Sequence, residues 1–370
     1  MRFPIDPELL RPASSGTLGQ GRALPAEAYA SAEVLAWETQ HFYEAGWVCL
    51  GRADDLSEPG DQRAYRVGRE GVLVVRGSDG TLRGFYNTCR HRGHELLGPG
   101  ERRSLRAIKC PYHAWVYRLD GTLGAAPRFG DVEGFRTQDY PLIDARVEIW
   151  RGWLFVNASG DAPGIADAIG NLEEVVAPWE PERLYVGAAH HYEVEANWKT
   201  ITEHYHGCSH RPSIHPGLSA VTQPTPDANA PHDGLWVGGS MALQDFAQTM
   251  SLTGASAGAR IRGLSDAQAR EVTYVGLFPN LLLSLHPDYV MTHRIEPLEP
   301  GRTRVECQWL FPPEAREVEG FSPAYATEFW DITNREDGVR AFMAMVARGY
   351  LDGRATTPPQ VDGSEARAGR

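Results

Sequence analysis

With 370 residues the chain is longer than one hydrophobic core usually supports, so two domains are expected. Apolar residues at 42% and charged residues at 23% match a soluble globular protein and exclude long disorder in the body of the chain. A net charge of −12 excludes a phosphate-tracking surface, and with it a nucleic-acid role.

Met1–Leu10 carries charges and two prolines where a secretory signal needs an apolar stretch, and no run reaches the length needed to span a bilayer. The expectation is a cytoplasmic protein without a membrane partner. Ser31–Gly46 has helix-forming residues ending on a glycine stop, which predicts a first helix. From Ala64 the pattern changes to short β-prone runs. Ala64–Val67, Val72–Arg76 and Leu82–Asn87 read as strands, with Asp79–Gly80 as the turn between the last two. Asp120–Gly121 and Arg151–Gly152 mark further turns, the second joining Val147–Trp150 to Trp153–Asn157. Residues from about 48 to 157 therefore form an all-β unit.

Beyond it, Ile165–Val176 reads as a helix. Val272–Phe278, Leu281–Leu285, Tyr289–Glu296 and Thr303–Phe311 read as strands of an antiparallel sheet, with Pro300–Gly301 as one turn. Pro323 opens a helical stretch to about Arg348, with Ser322 as N-cap and Gly349 as stop. The expected fold class is α+β. Residues 1–47 form an N-terminal arm and helix, 48–158 an all-β domain, 159–357 an α+β domain with an antiparallel sheet and a long C-terminal helix, and 358–370 a frayed tail.

The five cysteines, Cys49, Cys89, Cys110, Cys208 and Cys307, are too few and too scattered for a disulfide scaffold. Cys89-Arg90-His91 and Cys110-Pro111-Tyr112-His113 instead make two Cys/His pairs separated by the 18 residues 92–109. Two thiolates and two imidazoles make a four-ligand metal set. One option is a [2Fe–2S] cluster with thiolates on one iron and imidazoles on the other, which raises the reduction potential. The other is a structural zinc. A zinc finger groups its cysteines together and its histidines together, whereas each pair here mixes the two, which favours the cluster.

NTCRHRGHELL at 87–97 and CPYHAWVYRLDG at 110–121 resemble the Rieske loops of the ring-hydroxylating oxygenases. The resemblance implies an N-terminal Rieske domain in which Cys89 and Cys110 ligate the inner iron and His91 and His113 the outer one, with Trp115 packing beneath. A second resemblance lies in NWKTITEHYHGCSHRPSIHPGL at 197–218, which is similar to the same family, especially its members acting on quaternary ammonium compounds such as choline, glycine betaine and carnitine. It implies Asn197, Trp198, Lys199, Glu203 and Tyr205 as framework and His210 and His215 as ligands of a mononuclear Fe(2+). His204 and His206 have no counterpart as ligands. Five positions apart, His210 and His215 would lie about 140° apart on a continuous helix, and Pro212 breaks the helix between them.

FWDITNREDGVRAF at 329–342 resembles the segment that supplies the third ligand, which makes Asp337 that ligand and leaves Glu336 and Asp331 as substitutes. Helical periodicity alone points Asp337 about 150° from the apolar face defined by Phe329, Ile332, Val339, Phe342, Met343 and Val346, so its assignment comes from the resemblance. The chain departs from the family pattern at Gly207, where an acid usually links an iron histidine to a cluster histidine of a neighbouring subunit. Ser209, Arg211 and Gly338 are further departures. Glu203 or another acid, an ordered water, or weakened coupling would each account for the missing acid.

The implied function is the oxygenase component of a multicomponent Rieske monooxygenase. It would hydroxylate a C–H bond of a small organic substrate with O₂, with N-demethylation of a quaternary ammonium compound as one outcome. Electrons from NADH would arrive indirectly, through a separate flavin/ferredoxin-type reductase, since no glycine cluster has the setting of a dinucleotide fingerprint. A head-to-tail homotrimer is the implied assembly. The alternatives are an aromatic ring-hydroxylating dioxygenase subunit and a non-catalytic iron–sulfur carrier. For a quaternary ammonium group, Trp236, Phe246, Tyr274, Phe278, Tyr289 and Trp309 are the candidate aromatic cage.

Overall fold

The computed structural model describes residues 3–13, 23–129, 132–206, 215–223 and 228–334. Its strands are β1 (Val48–Arg52), β2 (Asp61–Val67), β3 (Glu70–Arg76), β4 (Leu82–Tyr86), β5 (Arg102–Ser104), β6 (Ile108–Lys109), β7 (Val116–Tyr117), β8 (Leu123–Ala125), β9 (Asp144–Trp150) and β10 (Trp153–Asn157), followed by β11 (Tyr185–Val194), β12 (Ala228–Asn229), β13 (Trp236–Ala242), β14 (Glu271–Leu277), β15 (Leu281–Leu285), β16 (Val290–Glu299) and β17 (Arg302–Phe311). They build a seven-stranded sheet in the order β1-β10-β9-β4-β3-β2-β5, a three-stranded sheet β6-β7-β8, and a second seven-stranded sheet β11-β17-β16-β15-β14-β13-β12. The fold is α+β, as expected.

Local chemistry accounts for the turns. Arg151 and Gly152 both take positive φ, 47° and 83°, the two-residue turn whose twist matches a hairpin, and Trp150 pairs with Trp153 across it. Asp79 accepts from the amide of Thr81 and from Arg83, fixing the turn into β4. In the second sheet, β15 is Leu-Leu-Leu-Ser-Leu and buried along its whole length, because both of its faces are covered. One face packs on Trp179, Trp236 and residues of β1 and β10, and the other supports the helices Trp198–His206, Pro216–Val221 and 324–334.

Three predicted elements differ from those observed. The helix over 165–176 is broken at Gly170, φ 51°, where Asp233 passes so close that a Cβ would sit 2.1 Å from its carbonyl oxygen. The first helix is α-helical only over Ala32–Glu38 and widens to a π-helix over Thr39–Glu44, before the expected stop at Gly46. Ile332, expected on the apolar face of the C-terminal helix, is 46% exposed, while Ala326, Phe329, Trp330 and Thr333 form the buried side. Ser322 caps this helix through the amide of Ala324, and its predicted course beyond residue 334 lies outside the described residues.

The two halves are sewn together by backbone chemistry. Asn280 accepts from the amide of Cys49 at 2.9 Å and donates to its carbonyl at 3.0 Å, in the manner of a strand neighbour. Both residues are buried, so N280A strands one donor and one acceptor away from water. A loss of about 1–3 kcal/mol is expected, read as a lower calorimetric melting temperature. An unchanged melting temperature would show that the junction does not depend on this side chain.

Candidate metal centres

Two short loops converge over the three-stranded sheet. In the first, Cys89 donates its amide to the His94 carbonyl and accepts from the Gly93 amide, with Gly93 at φ 69°. In the second, Cys110 donates to the Trp115 carbonyl and accepts from Ala114, which takes φ 57°. These left-handed residues reverse the chain within one turn, so each loop presents a Cys and a His to the same side. Both thiols are buried, and burial pushes that of Cys89 above its usual range.

The His91 and His113 rings lie 4.6 Å apart at 71°. Trp115, expected to pack beneath, is buried and stacks on His91 at 4.9 Å and 7°. Burial and the neighbouring His113 and Arg92 lower the pKa of His91, which keeps the imidazole neutral and able to ligate. The Nδ1 atoms of both rings are buried with no hydrogen-bond partner among the described residues. Buried polar atoms are rarely left in that state, and two thiols with two neutral imidazoles are the donor set of a Rieske cluster, so these residues fit that group. Tyr117 completes the pocket. Its oxygen accepts from the Arg90 amide at 3.0 Å, which directs its proton towards the Cys89 sulfur 3.2 Å away.

The second candidate centre lies over the other large sheet. Asn197 caps the Trp198–His206 helix through the Lys199 amide and ties it to the carbonyls of Tyr29 and Pro300. Trp198 and Lys199 both donate to the buried carboxylate of Glu38. Tyr205 donates to the Leu283 carbonyl on β15, anchoring the helix to the sheet. Glu203 is exposed and accepts from Tyr29 at 2.5 Å. His206 packs against Gly276, where a Cβ would come within 2.2 Å of its Nε2. Burial lowers its pKa to about 4.

His215 is buried at the start of the Pro216–Val221 helix. His210, Asp337, Glu336 and Gly207 lie outside the described residues, as do Ser209, Arg211 and Gly338. Asp331 is already committed elsewhere. It accepts from Tyr192 at 2.5 Å and is 3.0 Å from His190 Nδ1. His190 and Tyr192 escaped the sequence reading because β11 was not recognised as a strand, although their spacing of two places them on one face.

Strand register identifies the floor of this site. His190, Cys307, His293, Leu282 and Gly276 pair successively across β11, β17, β16, β15 and β14. The adjacent row on the same face is Trp309, Met291, Ser284 and Tyr274. Tyr274, Tyr289 and Trp309 therefore belong to the face beneath the helices. Trp236 points to the opposite face and bonds Asn171, Phe246 is 65% exposed, and Phe278 packs on Phe42 at 5.0 Å.

Among known proteins, residues 181–366 match the family described as ring hydroxylating alpha subunit (catalytic domain), and residues 46–136 match the Rieske [2Fe-2S] domain. The carnitine monooxygenase oxygenase subunit of Acinetobacter baumannii is 34% identical over 202 residues, and the match spans about half of each protein, 53% of this chain and 53% of the relative. The glycine betaine monooxygenase oxygenase subunit of Chromohalobacter salexigens is 28% identical over 345 residues, covering 85% of this chain and 77% of that protein. A solved quaternary ammonium Rieske monooxygenase superimposes with a TM-score of 0.71 at 25% identity, covering 88% of this chain and 86% of the other. Naphthalene 1,2-dioxygenase from Rhodococcus sp. shares the fold with a TM-score of 0.67 at 20% identity, covering 86% and 83%.

His206 carries a consequence for acid stability. Its pKa is about 4 in the folded chain against 6.5 when exposed, so between these values only the unfolded chain binds the proton. Stability is expected to fall as pH drops from about 6.5 to about 4, by no more than about 3 kcal/mol from this residue. H206N should flatten the dependence of melting temperature on pH across that window. Parallel curves for the two proteins would count against a neutral, buried His206.

Proposed function

The chain belongs to the ring-hydroxylating alpha-subunit family and carries a Rieske domain ahead of its catalytic domain, and from that premise we propose that it is the oxygenase component of a multicomponent Rieske monooxygenase. The observation that carries this reading is the buried thiol pair beside an imidazole pair whose Nδ1 atoms have no partner among the described residues. Cys89 and Cys110 would hold one iron of the cluster and His91 and His113 the other. His210, His215 and Asp337 would hold the mononuclear Fe(2+), two imidazoles and one carboxylate leaving positions open for O₂. When bound, the cluster supplies single electrons and the mononuclear iron activates O₂.

The reaction is the hydroxylation of a C–H bond. One atom of O₂ enters the product and the other leaves as water, with two electrons from NADH delivered by a separate flavin/ferredoxin-type reductase. If the carbon is attached to a quaternary nitrogen, the hydroxylated product splits its C–N bond to give an amine and an aldehyde. The chain's own contribution is to bind and orient the substrate. Tyr274, Met291 and Trp309 line the sheet face beneath the helices, and Tyr205 on the helix above brings its ring within 5.6 Å of that of Tyr274. Such a face suits a quaternary ammonium group, since aromatic quadrupoles replace lost hydration of the cation. His206, held neutral by burial, adds no competing positive charge. A cytoplasmic homotrimer completes the proposal.

The test is metal analysis with visible spectroscopy, followed by reductase-coupled O₂ uptake with carnitine, glycine betaine, choline and aromatic substrates. About three irons per chain are expected in the wild type. C110S should lose the visible spectrum, while H215A should keep it and lose about one iron. Two irons in the wild type would leave only an electron carrier, and cis-dihydrodiol products would make the chain a dioxygenase.

Y117F removes the proton donated to the Cys89 sulfur. A hydrogen bond that favours the reduced cluster by about 1 kcal/mol corresponds to about 40 mV for one electron. The midpoint potential of Y117F should therefore fall by roughly that amount. An unshifted potential would mean that the hydroxyl does not interact with the thiolate.

A further inference from the structure

The floor of the catalytic face carries one buried polar ring that no other group satisfies. Leu282 and Ser284 of β15 stand on that face, and His286, two residues beyond Ser284, continues the line opposite Tyr289, whose carbonyl accepts from the His286 amide. His286 and Tyr289 therefore form the floor row next to Ser284 and Met291. The His286 carbonyl accepts from Trp179 Nε1 at 2.8 Å, so its backbone is tied on both sides. The side chain is fully buried. Its ring stacks on that of Tyr289 at 4.0 Å and 20° and meets that of Trp330 edge-on at 5.7 Å and 72°.

Held in this way, neither ring nitrogen has a hydrogen-bond partner, and among the described residues His286 is the one histidine with both nitrogens buried and unmatched. Burial pushes its pKa well below the usual histidine range, so the ring is neutral, with one nitrogen a donor and the other an acceptor. An unmatched polar ring lowers stability, and an apolar side chain would fill the same space without that cost. Proteins keep such costs at sites where a bound ligand removes them.

The neighbours indicate the ligand. Tyr274 and Trp309 in the adjacent row offer aromatic faces to a cation. Successive rows on one sheet face lie about 7 Å apart, the span of a short carbon arm plus one hydrogen bond. A cation seated on the aromatic row would thus carry an oxygen on its arm to the His286 row.

We propose that His286 determines specificity by donating a hydrogen bond to an oxygen on the arm of a bound quaternary ammonium substrate. The inference rests on the functional reading above and narrows its substrate class to ammonium compounds with a hydroxyl or carboxylate on a short arm. His286 selects and orients, and takes no part in the oxygen chemistry.

The test is calorimetric binding to the full-length, metal-loaded chain without reductant, so that nothing turns over. Tetramethylammonium has the cation and no arm, choline adds a hydroxyl, and glycine betaine adds a carboxylate. The wild type should bind choline and glycine betaine about tenfold or more tighter than tetramethylammonium. H286F should erase that preference with tetramethylammonium binding unchanged, and should melt about 2 °C or more above the wild type because the unmatched nitrogens are gone. H286L should erase the preference as well, which covers the case of a site too small for phenylalanine, and H286N, with a donor and an acceptor, should keep part of it. A preference that survives both H286F and H286L would overturn the proposal and return His286 to the core. So would equal weakening of all three ligands, the sign of lost shape rather than of a lost hydrogen bond. A wild type that binds all three equally would overturn the His286 assignment alone, whereas one that binds none would overturn the quaternary ammonium reading and this assignment with it.

Discussion

Two buried imidazole nitrogens, those of His91 and His113, with no partner among the described residues set the terms for the N-terminal half. An unsatisfied buried nitrogen costs about 1–3 kcal/mol, so a fold that keeps two of them side by side has been shaped around something that completes them. The surrounding residues hold that arrangement in place. Gly93 and Ala114 take the left-handed conformations that turn each loop, Trp115 fixes the plane of His91, and Tyr117 spans from the Arg90 amide to the Cys89 sulfur. Leu96, Ile108, Trp115 and Tyr117 pack into one core beneath the loops, so the donors stand on a rigid base.

A second constraint joins the halves and positions the helix leading into the His-rich segment. Glu38 lies at the end of the N-terminal helix, and Trp198 and Lys199 at the start of the next functional one. Their hydrogen bonds, all between 2.8 and 3.0 Å, are buried. Burial lowers the Lys199 pKa against the pull of Glu38, so desolvation is the larger influence on the ammonium. Such a pair contributes little net stability, but losing one partner leaves a charge stranded, typically at about 3–5 kcal/mol. Its effect is to forbid alternative placements of the helix, which its far end reinforces through Tyr205 and Leu283.

The legible parts of the fold were those governed by local rules. The hairpin turn at Arg151–Gly152, the cap at Ser322 and the four strands of the second sheet follow from residue type and period-two patterning. The two Cys/His pairs were equally legible, because a metal set compresses its donors into short motifs. What escaped depended on neighbours distant in sequence. Gly170 breaks a helix because of Asp233, and β11 looks polar because it is an edge strand whose His190 and Tyr192 are used by Asp331. The aromatic candidates divided for the same reason. Trp236 and Tyr274 sit in paired strands, yet only register reveals that they face opposite ways.

The roof of the catalytic face is fixed as firmly as its floor. Asp288 is buried and accepts hydroxyl protons from Thr249, Ser256 and Tyr325, so one carboxylate binds together the β15–β16 hairpin, the 249–256 segment and the C-terminal helix. Burial raises its pKa and the three hydroxyls oppose that rise, as expected for a carboxylate satisfied by donors rather than by a cation. One turn further along the helix, Trp330 bonds Tyr289, and Asp331 bonds Tyr192 at the sheet edge. With anchors on both sides, the helix cannot shift to admit a differently shaped substrate without breaking buried polar bonds. On the function proposed above, discrimination between substrates would then fall to side chains standing on the floor, chiefly Tyr274, Met291 and Trp309, whose exchange alters the surface while leaving the anchors in place.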